Sequence, residues 1–352
     1  MSRPHDGHRP SFPFGNPFRM MFPKVSYLSP RLLSLLNSFE ETLTERLKRL
    51  KPKDICDVIS LSWLRCAMES LSETHNDIKV LITDLQFPVS DWEDKWMDMY
   101  LDNSVKLLDI CIAFSSELSQ LDQGQLLLQY VLHVLDFSSG PPSSEQLIQV
   151  RASLDDWKLQ KIHSRSPKVE NCSSILQGLH SSLHMVKSRN SAKGKVLMRA
   201  MYGVKVQTIF VCSTFIAAIL SSPKMLMDLD VPDKFLWSKV FNDLQVTVNG
   251  EIRKLLLSGR VVTLKELEEV DKCAEKFYAL TDGADHDEID LLQKSVSELG
   301  ESVEKLSSGL DLLSKQVGIF FQIVLTGRDA LLSNLRVSDI KQDNDLEVQV
   351  MS

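Results

Sequence analysis

Residues 291–324, LLQKSVSELGESVEKLSSGLDLLSKQVGIFFQIV, decide the fold class of this chain. Apolar residues recur there at alternating steps of four and three. We call this set the apolar stripe: Leu292, Val296, Leu299, Val303, Leu306, Leu310, Leu313, Val317, Phe320 and Val324. An average period of 3.5 residues is typical of a helix that packs lengthwise against another helix. That helix belongs either to a second chain or to this one, and we favour an internal antiparallel bundle.

The chain from residue 30 onward offers such partners, because its apolar residues also follow a helical period. Capping residues, prolines and glycines delimit the predicted helices. These are 30–50, 54–86, 90–135, 145–162, 170–186, 190–222, 233–258 and 263–281. No segment alternates with a period of two for long enough to form a sheet. We therefore predict an all-α fold, an elongated multi-helix bundle with long antiparallel helices.

The two ends of the chain differ from its middle in composition. Residues 1–28 are rich in Pro and Phe and are predicted to form a disordered arm, and the polar, acidic tail 337–352 is predicted to fray. Between them we expect a single helical-bundle domain, 29–336. Residues 138–144 contain Gly140-Pro141-Pro142 and are the clearest linker. They leave open a division of the domain into halves 29–137 and 145–336.

Composition and spacing exclude several classes of function. The net charge of −7 gives no global field that recruits nucleic acid. The six cysteines are too far apart in sequence for zinc-ligand pairs, and we expect reduced core thiols in an intracellular protein. His180 and His184 lack the neighbouring glutamate of a zincin, and we interpret them as surface histidines. We predict no catalytic, cofactor-binding or metal-ligating residues, and no cofactor.

The strongest local signal is a basic run that leads into an apolar segment. No acidic residue occurs between Glu170 and Asp228. The basic run consists of Lys187, Arg189, Lys193, Lys195, Arg199 and Lys205. It is a candidate contact for a protein partner or anionic lipid, although neutralisation of the acidic C-terminal half is the favoured interpretation. The following segment, 206–222, is favoured as the central helix of the bundle over a membrane-associated helix or a single span.

A second candidate lies in the N-terminal arm. Asn16-Pro17-Phe18 is similar to a short motif that endocytic adaptor domains recognise, and an arm that packs on the bundle is the favoured alternative. The basic, acid-poor leader has the charge of an organelle transit peptide but lacks its amphipathic Arg/Ser helix.

Several long stretches make the chain resemble the plant BYPASS family over almost its whole length. They are residues 12–18, Glu73-Thr74-His75-Asn76, 81–85, 88–96, 190–205 and Gly327-Arg328-Asp329. The resemblance implies a developmental regulator that restrains constitutive production of a root-derived, carotenoid-linked mobile signal, which arrests shoot and leaf growth. It implies a role in normal root and shoot development and supplies no catalytic residues. More distant relatives are similar to partners of exocyst subunits, and members of the family have been called chloroplastic.

From the residues and the resemblance together we expect a non-enzymatic regulator that acts through unidentified protein partners or a membrane surface, and no nucleic acid. Two alternatives stay open: an exocyst-associated helical adaptor, and an enzyme that modifies the signal precursor. An enzyme needs a pocket with convergent polar groups, and no motif in the sequence builds one. We expect an intracellular location, at the cytoplasm or an endomembrane surface, with the chloroplast as the family's alternative.

Overall fold

A computed structural model describes residues 28–52, 57–86, 95–137, 140–163, 167–183, 191–257, 264–281 and 289–350. These residues contain nine α-helices and no strand, which confirms the all-α prediction. The helices are α1 (Pro30–Arg49), α2 (Leu61–Leu85), α3 (Lys95–Val134), α4 (Ser144–His163), α5 (Pro167–Ser181), α6 (Ala192–Ile219), α7 (Ser238–Leu257), α8 (Lys265–Thr281) and α9 (Ile289–Val350). The 62 residues of α9 correspond to about 90 Å of helix, so the bundle is elongated.

Helix starts follow local capping chemistry. The Ser29 and Ser191 hydroxyls accept hydrogen bonds from backbone N–H groups three residues later, at the starts of α1 and α6. The second helix begins later than the predicted residue 54, because Ser60 caps it in the same way. The Glu266 carboxylate, from the far end of the sequence, also accepts the Leu61 N–H at 3.0 Å. Thr263, the predicted first residue of the eighth helix, lies outside the described residues.

The apolar stripe of α9 packs inside this chain. Eight of its ten residues are buried, and Leu292 and Val296 are partly buried against the same core. The stripe contacts α2, α3 and α8. Gly300 faces Leu132 and Gly327 faces Tyr100, so α3 and α9 run antiparallel. Because Gly309 faces Leu61 and Gly327 also faces Lys79, α2 runs parallel to α9. The bundle therefore contains long antiparallel helices together with parallel pairs, since Glu40 meets Arg199 and Leu43 meets Gly203 where α1 packs on α6.

Helix α6 is the central helix of the bundle. It packs on α1, α2, α3, α5 and α7. Of the helices that the structure describes, it alone is long and apolar enough to cross a membrane, and 83% of its most apolar window is buried inside the bundle. In the structure residues 206–219 thus lie in the central helix of the bundle, the interpretation that we favoured over a membrane-associated helix or a single span.

The long last helix joins elements from both sides of the predicted linker. It contacts α2 and α3 before residue 138, and α8 after residue 144. These contacts support a single bundle, while the division into halves stays a prediction. The helix continues past Arg336 to Val350, and no Gly or Pro follows Gly327. The fraying of the polar, acidic tail stays a prediction.

Candidate functional site

The described part of the basic run divides into two groups of side chains with different environments. Arg199 faces inward, where its Nε donates to Glu40 Oε1 at 2.5 Å and its Nη2 donates to the Lys234 carbonyl at 3.0 Å. Glu40 is 1% exposed and also accepts the Leu236 N–H at 3.0 Å. The guanidinium stacks over the Phe235 ring. Arg199 therefore ties α6 to α1 and to the segment before α7.

The described lysines of the basic run also differ from one another in how deeply they are buried. Lys193 Nζ donates to the Gln86 carbonyl at 2.6 Å, just past the end of α2. Lys195 is half-buried on the first turn of α6. Lys205 lies deeper, and its Nζ donates to the Ser182 carbonyl at 3.0 Å and to the Ser182 hydroxyl at 2.7 Å. Lys187 and Arg189, like Asn16-Pro17-Phe18, lie outside the described residues.

Lys205 also lines a cavity that the sequence did not predict, which we call the polar pocket. Five helices, α2, α3, α5, α6 and α9, form its walls. Most of the lining is apolar, and the free interior space is about 50 Å³. The polar lining comes from distant parts of the chain: His75, Tyr100, Asn103, Ser104, Lys205 and Thr208.

His75 forms part of the floor of the polar pocket. Its Nε2 lies 3.3 Å from the Thr208 hydroxyl, and Phe320 packs edge-on at 5.0 Å between ring centroids. Because the Thr208 hydroxyl donates to the Val204 carbonyl at 2.7 Å, Nε2 is the donor to Thr208. Burial, with a smaller contribution from the charge of Lys79, lowers the pKa of His75 to about 3. The imidazole is thus neutral at physiological pH.

Tyr100 brings a hydroxyl to the α3–α9 side of the polar pocket. A Cβ at Gly327 would lie only 2.6 Å from this hydroxyl oxygen, so glycine is what permits the close approach. Burial raises the pKa of Tyr100 to about 12, which keeps the phenol protonated. The next residue, Arg328, donates to the Leu101 carbonyl at 2.9 Å and to the Ser104 hydroxyl at 3.2 Å. These contacts fix the first turns of α3 against α9.

Lys205 is the cation of the polar pocket. Burial, together with the nearby positive charge of Lys106, lowers its pKa to about 8, while Asp102 acts in the opposite direction. Its ammonium group is therefore charged at neutral pH but close to its titration range. With the protonated Tyr100 on α3, Lys205 on α6 gives the polar pocket hydrogen-bond donors on two helices, because the single N–H of the neutral His75 is donated to Thr208.

The sequence did not indicate His75 and Tyr100 as site residues, and it indicated Lys205 only as a member of the basic run. One signal was available for His75. The predicted apolar face of α2 runs from Leu71 to Ile78, and Thr74-His75 occupies the turn between them. Two polar residues at core-facing positions mark a buried polar contact. Nothing in the spacing tells which helix supplies the partner.

Three of the five described cysteines agree with the expected core role, and Cys66 does not. Cys111, Cys172 and Cys212 are buried and free, and burial raises the pKa of each thiol. Cys66 is exposed and Cys273 is half-buried. Among the residues that the structure describes, no group of three or more His, Cys, Asp or Glu side chains is placed to hold a metal ion.

The fold and the polar pocket show that this is a helical-bundle protein with a small, partly polar pocket among five of its helices. The chain belongs to the family described as Protein BPS1, whose sequence model matches residues 68–317. This confirms the membership that the motifs predict.

Named relatives match nearly the whole chain. It is 50% identical to Protein BPS1, chloroplastic, of Arabidopsis thaliana, over 96% of this chain and 93% of the relative. It is 41% identical to UPF0496 protein 4 of Oryza sativa subsp. indica, over 96% of this chain and 98% of the relative. Protein ROH1D of Arabidopsis thaliana is 21% identical, over 83% of this chain and 86% of the relative. No solved structure matches the chain significantly.

Proposed function

We propose that this protein is a non-enzymatic regulator of plant development that works through protein partners. Its specific role in development is to restrain constitutive production of a root-derived, carotenoid-linked mobile signal that arrests shoot and leaf growth. The observation that carries the proposal is the 50% identity to Protein BPS1, chloroplastic, along 96% of this chain. The word chloroplastic belongs to that relative, and we extend it here only as one intracellular location beside the cytoplasm and endomembrane surfaces.

Protein partners are favoured over membrane insertion because of where α6 lies. To enter a bilayer, α6 would leave contacts with five other helices and expose its partners' apolar faces to water. It would also break the ion pair between Arg199 and Glu40. The remaining described lysines at the start of α6, Lys193 and Lys195, are half-buried and suit a contact with an acidic partner surface.

Complementation tests the developmental role. Arabidopsis plants that lack the BPS1 relative should regain normal leaf and root growth when they express this chain. Full expression without any recovery would overturn the proposal. The double variant Lys193→Glu/Lys195→Glu should restore growth poorly while it keeps the wild-type melting temperature. Arg199 is left unchanged, because its loss would destabilise the bundle.

A matched pair of exposed lysines controls for the change in net charge. Lys224 and Lys239 lie outside the basic run and are exposed. The variant Lys224→Glu/Lys239→Glu should restore growth as wild type does. Equal rescue by both double variants would remove Lys193 and Lys195 from the proposed partner contact.

Cell fractionation separates protein partners from a membrane surface. Release of the tagged protein without any wash agrees with partners in solution, and release by high salt alone indicates an anionic surface that holds the basic run. Retention after a carbonate wash would contradict the soluble-bundle proposal and make α6 an anchor.

An exocyst-associated adaptor that uses the N-terminal arm is the second proposal. It rests on the family resemblance, which implies that more distant relatives are similar to partners of exocyst subunits, and Protein ROH1D is one distant relative that matches over 83% of this chain. Deletion of residues 1–24 should then abolish recovery of exocyst subunits with the tagged protein. Unchanged recovery and localisation would count against the arm.

A further inference from the structure

The polar pocket has no assigned role in a regulator that acts through its surface. Its walls are mainly aliphatic, from residues such as Leu107, Leu179 and Val204, yet donors on separate helices meet inside it. An apolar cavity with a few convergent polar groups is the usual form of a small-molecule site. The chemistry of a ligand follows from its polar groups and its size.

Lys205 indicates the charge of the ligand. Its ammonium group is partly buried and donates two hydrogen bonds to Ser182, which leaves one of its three N–H donors for another acceptor. No carboxylate among the described residues lies within 4.0 Å of Lys205 Nζ, and Asp102 is paired with Lys106 at 2.7 Å. A partly buried cation without a counter-ion is costly. An anion in the polar pocket would stabilise it.

Tyr100 indicates where the anion is held. Tyr100 lines the same cavity, and its protonated hydroxyl is a hydrogen-bond donor. A carboxylate has two oxygens and accepts from both an ammonium and a phenol in one site. The neutral His75 adds no charge that competes with Lys205.

Size limits the remainder of the ligand. The free space of about 50 Å³ is small beside the ~300–1,000 Å³ of pockets that take drug-sized molecules. It has room for a carboxylate and a few methylene or methyl groups, which would contact the aliphatic walls.

We propose that the polar pocket binds a small aliphatic monocarboxylate, with its carboxylate on Lys205 Nζ and the Tyr100 hydroxyl and its short chain against Leu107, Leu179 and Val204. The site goes beyond the regulatory role above and does not depend on it, since binding is a property of the purified chain. Failure of complementation would contradict the developmental role, and failure of binding would contradict the ligand site, so the two results can be told apart.

Calorimetric titration of the purified full chain tests the proposal, with butyrate as the probe and butyramide as its uncharged match. At pH 7 butyrate should bind at least about tenfold more tightly than butyramide. Equal affinities, or no butyrate binding up to about 20 mM, would overturn the proposal.

Variants assign the effect to the polar pocket. Lys205→Met keeps the apolar stem and should remove the preference for butyrate, whereas Lys193→Met, on the same helix but outside the pocket, should keep it. Because Lys205 also holds Ser182, Tyr100→Phe provides a second test and should weaken butyrate about three- to tenfold. Unchanged butyrate affinity in both pocket variants would place the binding elsewhere and overturn the assignment.

The pH profile gives an independent signature. The charges that act on Lys205 are those of Asp102 and Lys106 on α3, and the other titratable side chains of the polar pocket are His75 on α2 and Tyr100 on α3. The pKa of Lys205 is about 8, so butyrate affinity should fall with rising pH, by about tenfold per pH unit above that value. Butyramide affinity should stay flat. A butyrate profile as flat as that of butyramide would contradict the role of Lys205.

Discussion

The apolar stripe of α9 and the first half of α6 are both buried in the same bundle, but they are stabilised differently. The stripe contributes side chains such as Leu313 and Val317 that are wholly apolar and fully buried. The first half of α6 buries Arg199 against Glu40, and the turn that follows it buries Thr208 against His75. Dispersion and apolar burial add up over many neighbours, whereas a buried polar group depends on one partner.

The comparison teaches which changes each region tolerates. In the stripe, any apolar side chain of the right volume preserves most of the stability. In the first half of α6, a conservative change in size still leaves a charge or a donor without its partner. Four measurements, taken from the largest expected effect to the smallest, test this difference.

The largest effect is expected in the stripe itself. Leu313 and Leu312 are neighbours in α9, with exposed fractions of 0% and 49%. Leu313→Ala should lower the free energy of unfolding by about 3 to 5 kcal/mol, because it leaves a cavity at the α2–α3–α9 contact. Leu312→Ala should change it by less than about 1 kcal/mol. Denaturant unfolding of both variants checks this, and equal losses would show that the stripe is not the core of the bundle.

The ion pair of α6 comes next. Arg199→Met leaves the 1%-exposed Glu40 carboxylate without its cation and should cost about 3 kcal/mol of unfolding free energy. The double variant Glu40→Met/Arg199→Met replaces both charges by apolar side chains and should recover a large part of that loss. A double-mutant cycle by denaturant unfolding measures the coupling. Additive losses would mean that the two charges stabilise the bundle independently.

Lowering the pH should reduce the stabilisation from the contact between His75 and Thr208 more than the stabilisation from the apolar stripe. His75 has a folded-state pKa of about 3, against about 6.5 in an unfolded chain. Its contribution is complete above pH 6.5 and is lost as pH falls, because the unfolded state then binds the proton. The loss should reach about 2 kcal/mol by pH 5, at about 1.4 kcal/mol per pH unit.

The variant His75→Gln isolates that dependence. The difference in unfolding free energy between wild type and this variant should shrink by about 2 kcal/mol from pH 6.5 to pH 5. His180→Gln, at an exposed position on α5, is the control and should follow the wild-type profile. A constant difference between wild type and His75→Gln would show that the buried imidazole takes up its proton in the folded state.

The smallest effect concerns two glycines of α9. A Cβ at Gly327 would meet the Tyr100 hydroxyl at 2.6 Å, whereas a Cβ at Gly318 meets nothing within 4 Å. Gly318→Ala should stabilise the helix by about 0.5 to 1 kcal/mol through propensity alone. Gly327→Ala should lose that gain and cost about 1 kcal/mol. Adding Tyr100→Phe to Gly327→Ala should restore part of the loss, and failure to do so would place the strain on Lys79.

The polar pocket shows the limit of prediction from the sequence, which singled out Lys205 but not the residues that surround it. Lys205 stands out because of its place in the basic run, and the sequence links it to lipid or a partner. The contact with Ser182, 23 residues earlier, and the shared cavity with Tyr100 on α3 depend on how α3, α5 and α6 pack together. Arg199 illustrates the same limit, since its partner Glu40 lies 159 residues earlier.

By itself, the sequence determined the fold class, the helices and the family of this protein. Apolar periodicity determines the fold class and the helices, because the buried positions of a helix all need apolar side chains and recur every three or four residues. The family follows from the resemblance of several long stretches. Only the tertiary structure decided that α6 is central, that α2 runs parallel to α9, and that His75, Tyr100 and Lys205 line one cavity. A polar side chain has no such repeat: its environment depends on which distant helix packs against it, and the packing of the whole bundle settles that choice.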